Sequence, residues 1–285
     1  MRPKVALIND TGLFESHFGC QLVSQTYREQ FARLGLDLAL SLPRDFDLNQ
    51  VSAELDKMDL LVVNGEGSIH HGRCHHLIAL ASRFPAVLVN CVYQQNPPDW
   101  DLGGFLYVSA RESLSAAEIE RQGRACDVVP DIMYASMFLH SFHKPEPKGQ
   151  IGITDNVRKE KWKVGPFCLK KKKGFPPNRS IAADYLRELC FYERLCIGRF
   201  HAVVAASVLE IPFSSWDSNT WKTKGLMGDM GVSRLHFSTC NEARKHVPVR
   251  FDPQIKDFAS EARRRVIEMF DTIGMIASSQ VDKRS

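Results

Sequence analysis

The chain predicts an α/β protein built of two consecutive units, each a parallel sheet covered by helices on both faces, with a cleft between them. Three observations carry that prediction. Short aliphatic runs alternate with helical periodicity from Val5 to Val129, the pattern of a buried parallel sheet. A stretch rich in Pro and Lys, Phe142 to Gly149, then interrupts the alternation and reads as a linker. Beyond it the alternation resumes. A length of 285 residues suits two domains at roughly 100–200 residues each.

Taken in order, Val5 to Ile8 is an apolar strand running into Asn9-Asp10-Thr11-Gly12. Cys20 to Leu34 has helical spacing, with Leu22, Val23, Tyr27, Phe31 and Leu34 on one face and Gly35 as its stop. Leu36 to Leu42 is a second strand, and Leu48, Val51 and Leu55 mark a short helix. Asp59 to Val63 is a buried strand ending in Asn64-Gly65-Glu66-Gly67. A helix near Arg73 to Arg83, strands at Ala86 to Cys91 and Phe105 to Ser109, a helix at Ser113 to Gln122 and a strand at Cys126 to Val129 complete the first unit. The second unit reads as a strand at Gln150 to Thr154, a helix at Ile181 to Tyr192, and a strand at Leu195 to Gly198. A helix at His201 to Leu209, a strand at Pro212 to Trp216 and a helix near Thr220 to Met230 follow. The last helix, about Pro253 to Ile276, carries Ile255, Phe258, Ala262, Val266, Phe270 and Ile273 on one stripe and is expected to pack back on the body. The boundaries are therefore 1–141, linker 142–149, 150–252, and a C-terminal helix and tail at 253–285.

A composition of 44% hydrophobic and 25% charged residues excludes a disordered, collagen-like or coiled-coil chain. No signal peptide and no run of about 18 apolar residues is read. Eight cysteines without a CxxC pair read as reduced thiols, which makes a cytoplasmic protein the expectation. The net charge of +4 is localised: Lys144 to Lys173 holds ten Lys and Arg against three acids. A local patch points to an anionic ligand or surface, not to nucleic acid.

In open parallel sheets ligands sit beyond the carboxyl ends of the strands, so the loops after strands are the candidates. Asn9, Gly12 and His17 precede a helix whose start favours negative charge. Asn64 and Gly65 flank Glu66, which suits a base or a hydrogen bond to a sugar hydroxyl. His70, His71, Cys74, His75 and His76 resemble a metal cluster but lack ligand spacing. No metal is predicted, and one of His70 and His71 is expected to face the cleft. Arg111 lies between a strand and a helix, where a guanidinium grips a carboxylate or phosphate, or pairs with a neighbouring acid. Asp131 caps a turn or positions a ligand. His201 opens a helix of small apolar residues beside Arg199, a good place for an acid or base.

The pattern Arg111-Glu112-x-x-Ser115, Pro130-Asp131, Gly198-Arg199-Phe200-His201-Ala202 and Leu209-Glu210-Ile211-Pro212-Phe213 resembles the polysaccharide pyruvyl transferase family. Lys224-Gly225-Leu226 and Asp229-Met230-Gly231 look like its next segment, and the likeness runs over residues 4 to 232. Glu66 interrupts what is often a run of three glycines there, and Leu13 follows Gly12 where an acid is common. The resemblance implies two Rossmann-like halves facing a cleft, similar to B-type glycosyltransferases. It implies pyruvyl transfer from phosphoenolpyruvate, as co-substrate with no cofactor, to a surface-polysaccharide sugar, forming a ketal. His201 would be the general acid and Arg111 the phosphoenolpyruvate anchor, with Glu66 or Asp131 as base. Arg199, Lys171 and Lys172 would bind the donor, and Asn9, Gly12, His17, Asn64, Gly65 and His70 the acceptor.

Two other classes fit the sequence: a glycosyltransferase of the same fold using a nucleotide sugar, and a non-enzymatic polysaccharide-binding module. The Lys170–Lys173 run reads as a solvated loop, a lid over an anionic donor, or a peripheral contact to acidic lipid near a lipid-linked acceptor. No oligomeric state is read from the sequence.

Overall fold

Strands buried on both faces need continuous apolar runs, and the runs at Val5–Ile8, Leu60–Val63 and Ala86–Val89 are fully buried. The computed structural model describes residues 2–13, 17–156, 168–169 and 181–284. In it β1 (Lys4–Ile8), β2 (Asp37–Leu42), β3 (Leu60–Asn64), β4 (Ala86–Cys91), β5 (Tyr107–Ala110) and β6 (Asp127–Val128) form a parallel sheet in the order β2-β1-β3-β4-β5-β6. Helices α1 (Phe18–Arg33), α2 (Leu48–Leu55), α3 (His75–Ala79) and α4 (Ser113–Arg121) connect the strands, and α5 (Met137–His140) follows them.

The second sheet holds β7 (Gly149–Asn156), β8 (Cys168–Leu169), β9 (Tyr192–Gly198), β10 (Phe213–Trp216) and β11 (His236–Phe237), again all parallel, in the order β11-β10-β9-β7-β8. Its helices are α6 (Ile181–Cys190), α7 (Phe200–Val208), α8 (Lys222–Asp229) and α9 (Cys240–Lys245). In each sheet the chain starts at an inner strand and winds outward both ways. The reversal falls between β1 and β3 in one sheet and between β7 and β9 in the other. Such a reversal leaves a crevice at the strand ends, where ligands of open α/β sheets bind.

Helix α10 (Pro253–Arg284) runs past the expected Ile276 and ties the halves together. Its stripe of Ile255, Ala262, Val266, Phe270 and Ile273 is buried. Phe270 meets Tyr27 and Phe31 of α1 edge-on at 5.7 and 6.1 Å, and Asp271 pairs with Arg33 at 2.8 Å. One apolar cluster thus runs from the inner face of the first sheet through α1 and α10 to α7 and the second sheet. No described helix is long and apolar enough to cross a membrane.

Elements of one turn escaped the sequence reading because one turn shows no period. They are a 3₁₀ turn at Ile132–Ala135, capped by Asp131 through a 3.0 Å bond from Met133 N, and α5, capped by Ser136. The two-residue β11 and the short α9 escaped for the same reason.

Candidate active site

The halves touch on both sides of the crevice. On one side Phe18 of α1 stacks on Tyr185 of α6, with ring centroids 4.0 Å apart. On the other, Gly225 of α8 lies so close to Glu112 that a Cβ there would come within 2.3 Å of its Oε2. Asp229 Oδ2 accepts from Ser113 N at 2.9 Å, and Trp221 N donates to Gln94 Oε1 at 3.0 Å. Between these contacts opens a cleft of about 240 Å³. The loops after β1 and β3, with the first turn of α1, contribute Asn9, Thr11, His17, Cys20, Glu66 and Gly67. The loop after β5 contributes Arg111, and the second half contributes Arg199, Phe200, His201, Asn219 and Lys222.

Glu66 is the first fixed point. Its Oε2 accepts from Thr11 Oγ1 at 2.7 Å and from Asn64 Nδ2 at 3.4 Å. Its Oε1 lies 3.5 Å from Cys20 Sγ and 3.2 Å from His201 Nε2. Behind it Asn9 Nδ2 donates to Asn64 O at 2.6 Å and Asn64 Nδ2 to Asn9 O at 3.1 Å, locking the ends of β1 and β3 together. Asn9 is held at φ 61°, in the left-handed region, and its buried Oδ1 has no hydrogen-bond partner. Strained, unsatisfied groups of this kind gather where a ligand completes them.

The second fixed point is the buried pair Arg111 and Asp131, with Nη1 to Oδ2 at 2.8 Å. The guanidinium also lies over the Phe200 ring, 4.1 Å from its centroid, a stacked and desolvated cation–π contact. Burial pushes the Asp131 carboxyl up, but the His201 imidazole and the Arg111 guanidinium outweigh it and bring it to about 2. Arg111 thus pairs with a neighbouring acid, and it also lines the cleft.

His201 stands between these points, 3.2 Å from Glu66 Oε1 and 3.6 Å from Asp131 Oδ2. Its buried Nε2 makes no aligned hydrogen bond to either. Gly19, in the first turn of α1, supports the imidazole from behind: a Cβ there would lie 2.2 Å from Nδ1. Gly19→Ala is expected to move the ring and lower turnover at least tenfold. Stability should fall by much less, because alanine gains about 1 kcal/mol of helix propensity over glycine. Melting and turnover measured on the same sample check this, and full activity in the variant would mean that the ring position is not critical.

Of the expected site residues, Glu66, Arg111, Arg199, His201, Asn9 and His17 line one cleft. Asp131 is wholly buried behind Arg111 and His201, so it holds those two in place and is not placed to touch a substrate as base. Asn64 serves the locked strand ends instead of the cleft wall. Gly12 and Gly65 are packing positions: a Cβ would meet Ser24 Cβ at 2.4 Å and the Cys91 main chain at 2.7 Å. His70 does not reach the cleft. It bridges Gln94 and its Nδ1 sits 2.7 Å from His71 Nδ1, while burial and the His71 charge bring its imidazole down to about 4. Lys171 and Lys172 lie outside the described residues. Lys222, Cys20 and Thr11 were not expected. Thr11 lies inside the first loop, and Lys222 had only Gly225 in its own helix as a signal.

No family model matches the chain, and no curated protein matches its sequence. Among solved structures, a functionally uncharacterised protein from Klebsiella pneumoniae is similar over 84% of this chain and 93% of its own, with a TM-score of 0.60 and 13% identity. The UDP-GlcNAc 2-epimerase of Methanocaldococcus jannaschii is similar over 94% and 99%, with a TM-score of 0.51 and 10% identity. The fold is accordingly the one expected: two Rossmann-like halves facing a cleft, of the B-type glycosyltransferase kind.

Proposed function

We propose that this protein is a sugar-directed transferase that moves the pyruvyl group of phosphoenolpyruvate onto hydroxyls of a saccharide, forming a ketal. The observation that carries the reading is the His201 Nε2, unbonded beside Glu66, in a cleft lined by the cations Arg111, Arg199 and Lys222. The likeness to a protein named as an epimerase of UDP-GlcNAc agrees with sugar chemistry on this fold.

In this reading Arg111, Arg199 and Lys222 hold the phosphate and carboxylate of the donor. His201 Nε2 protonates the methylene carbon, leaving positive charge at C2. A sugar hydroxyl attacks C2, and Glu66 accepts its proton. The C2–O bond to phosphate breaks, inorganic phosphate departs, and a second hydroxyl closes the ketal. Atoms balance without a cofactor: of the two protons the hydroxyls release, one restores the proton that His201 gave to the new methyl group, and the other leaves on inorganic phosphate. Asp131 keeps Arg111 and His201 in place throughout. The side formed by Asn9, Thr11 and His17 faces the acceptor, and a membrane-associated, lipid-linked acceptor fits the same scheme.

The epimerase likeness favours a second reading, glycosyl transfer from a nucleotide sugar. The size of the cleft favours a small donor, since 240 Å³ lies below the roughly 300–1,000 Å³ of sites for larger ligands. Thermal shift separates the two. Phosphoenolpyruvate at a hundredfold its Kd should add about 2.7 kcal/mol, a rise of about 5–10 °C. Arg111→Lys keeps a cation for Asp131 but loses the second edge of the fork, and should lose most of that shift. A rise with UDP-GlcNAc or another nucleotide sugar, and none with phosphoenolpyruvate, would establish the second reading instead.

A further inference from the structure

Lys222 opens α8 and is buried in the cleft wall, only 8% exposed. Among the described residues no carboxylate lies within ion-pairing distance of it. A side chain beginning at Gly67 would lie 3.9 Å from Lys222 Nζ and 3.8 Å from Arg111 Nη2, so the two cations converge on one glycine. That glycine has φ +54°, a conformation in which a side chain is strained, and the space above it is left to the two cations. Arg111 Nη1 is already taken by Asp131 and its Nε is buried without a partner, so the ends that meet at Gly67 are Nη2 and Nζ. Two cations on buried side chains that converge on one glycine, the ammonium with no counter-ion among the described residues, are an arrangement that an anion completes.

We propose that Lys222 and Arg111 Nη2 form a subsite for a phosphoryl-type anion, spanning the two halves with Gly67 as its floor. Assigning that anion to the phosphate of phosphoenolpyruvate rests on the functional reading above; the subsite itself does not. Lys222 comes from the second half, while Gly67 and Arg111 come from the first, so an occupied subsite cross-links the halves. Trp221 bonded to Gln94, and Gly225 seated on Glu112, set the height of Lys222 above Gly67.

The empty subsite also carries a pH dependence. Burial, then the charge of Arg111, brings the Lys222 ammonium down to about 7; Glu66 opposes this, and Arg199 adds a smaller lowering. The other ionisable groups facing it are Cys20 from α1, His70 beyond the Gly67 turn, and His201 from α7. A group lowered to this value is charged below neutrality and loses its proton above it. Anion affinity therefore falls as pH rises through 7.

The test uses inorganic sulfate, whose charge is constant in this range. Calorimetry on the full-length protein at pH 6.5 and 8.5 would compare the wild type with Lys222→Met and Lys222→Arg. The wild type should bind sulfate about tenfold more weakly at the higher pH. Lys222→Met should bind at least tenfold more weakly at pH 6.5 and melt no lower than wild type, since it removes a charge without a partner. Lys222→Arg, always charged, should bind at both pH values and lose most of the dependence. Wild-type affinity in Lys222→Met, or no sulfate binding by the wild type, would overturn the subsite. Sulfate binding that needs Lys222 but is not displaced by phosphoenolpyruvate would keep the subsite and overturn the donor assignment. Unchanged sulfate binding in Lys222→Met, with a phosphoenolpyruvate shift that Arg111→Lys abolishes, would do the reverse.

Discussion

His201→Gln is expected to lower turnover by about 10²–10⁴-fold, the usual worth of one positioned acid or base, with the fold intact. Glutamine keeps a polar side chain of similar reach beside Glu66 but cannot deliver a proton at neutral pH. Around the ring lie Gly19, the His17 and Phe200 rings at 5.6 and 5.5 Å between centroids, and the carboxylates of Glu66 and Asp131; Glu66 keeps its bond from Thr11 and Asp131 its ion pair with Arg111 when the imidazole is replaced. Melting should therefore move by only a few degrees. Donor binding should survive as well, because Arg111, Arg199 and Lys222 are untouched. The measurement pairs phosphate release from phosphoenolpyruvate, with a saccharide pool as acceptor, with the thermal shift caused by phosphoenolpyruvate alone. A lost rate with a retained shift is the signature of a proton donor. A retained rate would remove His201 from the chemistry, and loss of the shift together with the rate would make it a binding residue.

The cleft loops were legible in the sequence for a physical reason. Glu66, Arg111 and His201 are ionisable residues placed directly after runs that must be buried, so each had to emerge at a strand end. The strands themselves were legible wherever both faces are covered, as at Ala86–Cys91, where expected and observed limits coincide. Residues whose role depends on packing between elements were not. Lys222 sits in a segment that reads as an ordinary helix, and it is the docking of that helix on the first half, through Gly225 on Glu112 and Trp221 on Gln94, that places it in the cleft wall. A glycine inside that helix was the one available hint, since it permits close approach of another element. Gly12, Gly65 and Asn64 were read as ligand contacts because glycine- and asparagine-rich loops look alike whether they cradle a ligand or let two strands approach. The expectation that His70 or His71 faces the cleft fails because the two rings meet each other, Nδ1 to Nδ1 at 2.7 Å, and neither lines the cleft.

The largest effect on stability is expected at the Arg111–Asp131 pair. Asp131→Ala leaves a guanidinium buried without its partner, which costs about 3–5 kcal/mol, or a fall in melting temperature of about 10 °C. The acid limb of the stability curve should change with it. The Asp131 carboxyl is held at about 2, below its unfolded value near 3.9. Its contribution is therefore present above the unfolded value and lost as pH falls through about 2. The wild type should lose stability across that window, and the variant should show a shallower acid limb. Removing both partners separates structure from function. Arg111→Met with Asp131→Leu replaces a buried ion pair by apolar groups of similar size, a change that is often neutral or stabilising. The double variant should melt well above Asp131→Ala yet give no thermal shift with phosphoenolpyruvate, because the edge of Arg111 that faces the cleft is gone. If it melts as low as the single variant, the pair is not what Asp131 contributes. If it still responds to phosphoenolpyruvate, Arg111 is a structural cation alone, and the anion is held by Arg199 and Lys222.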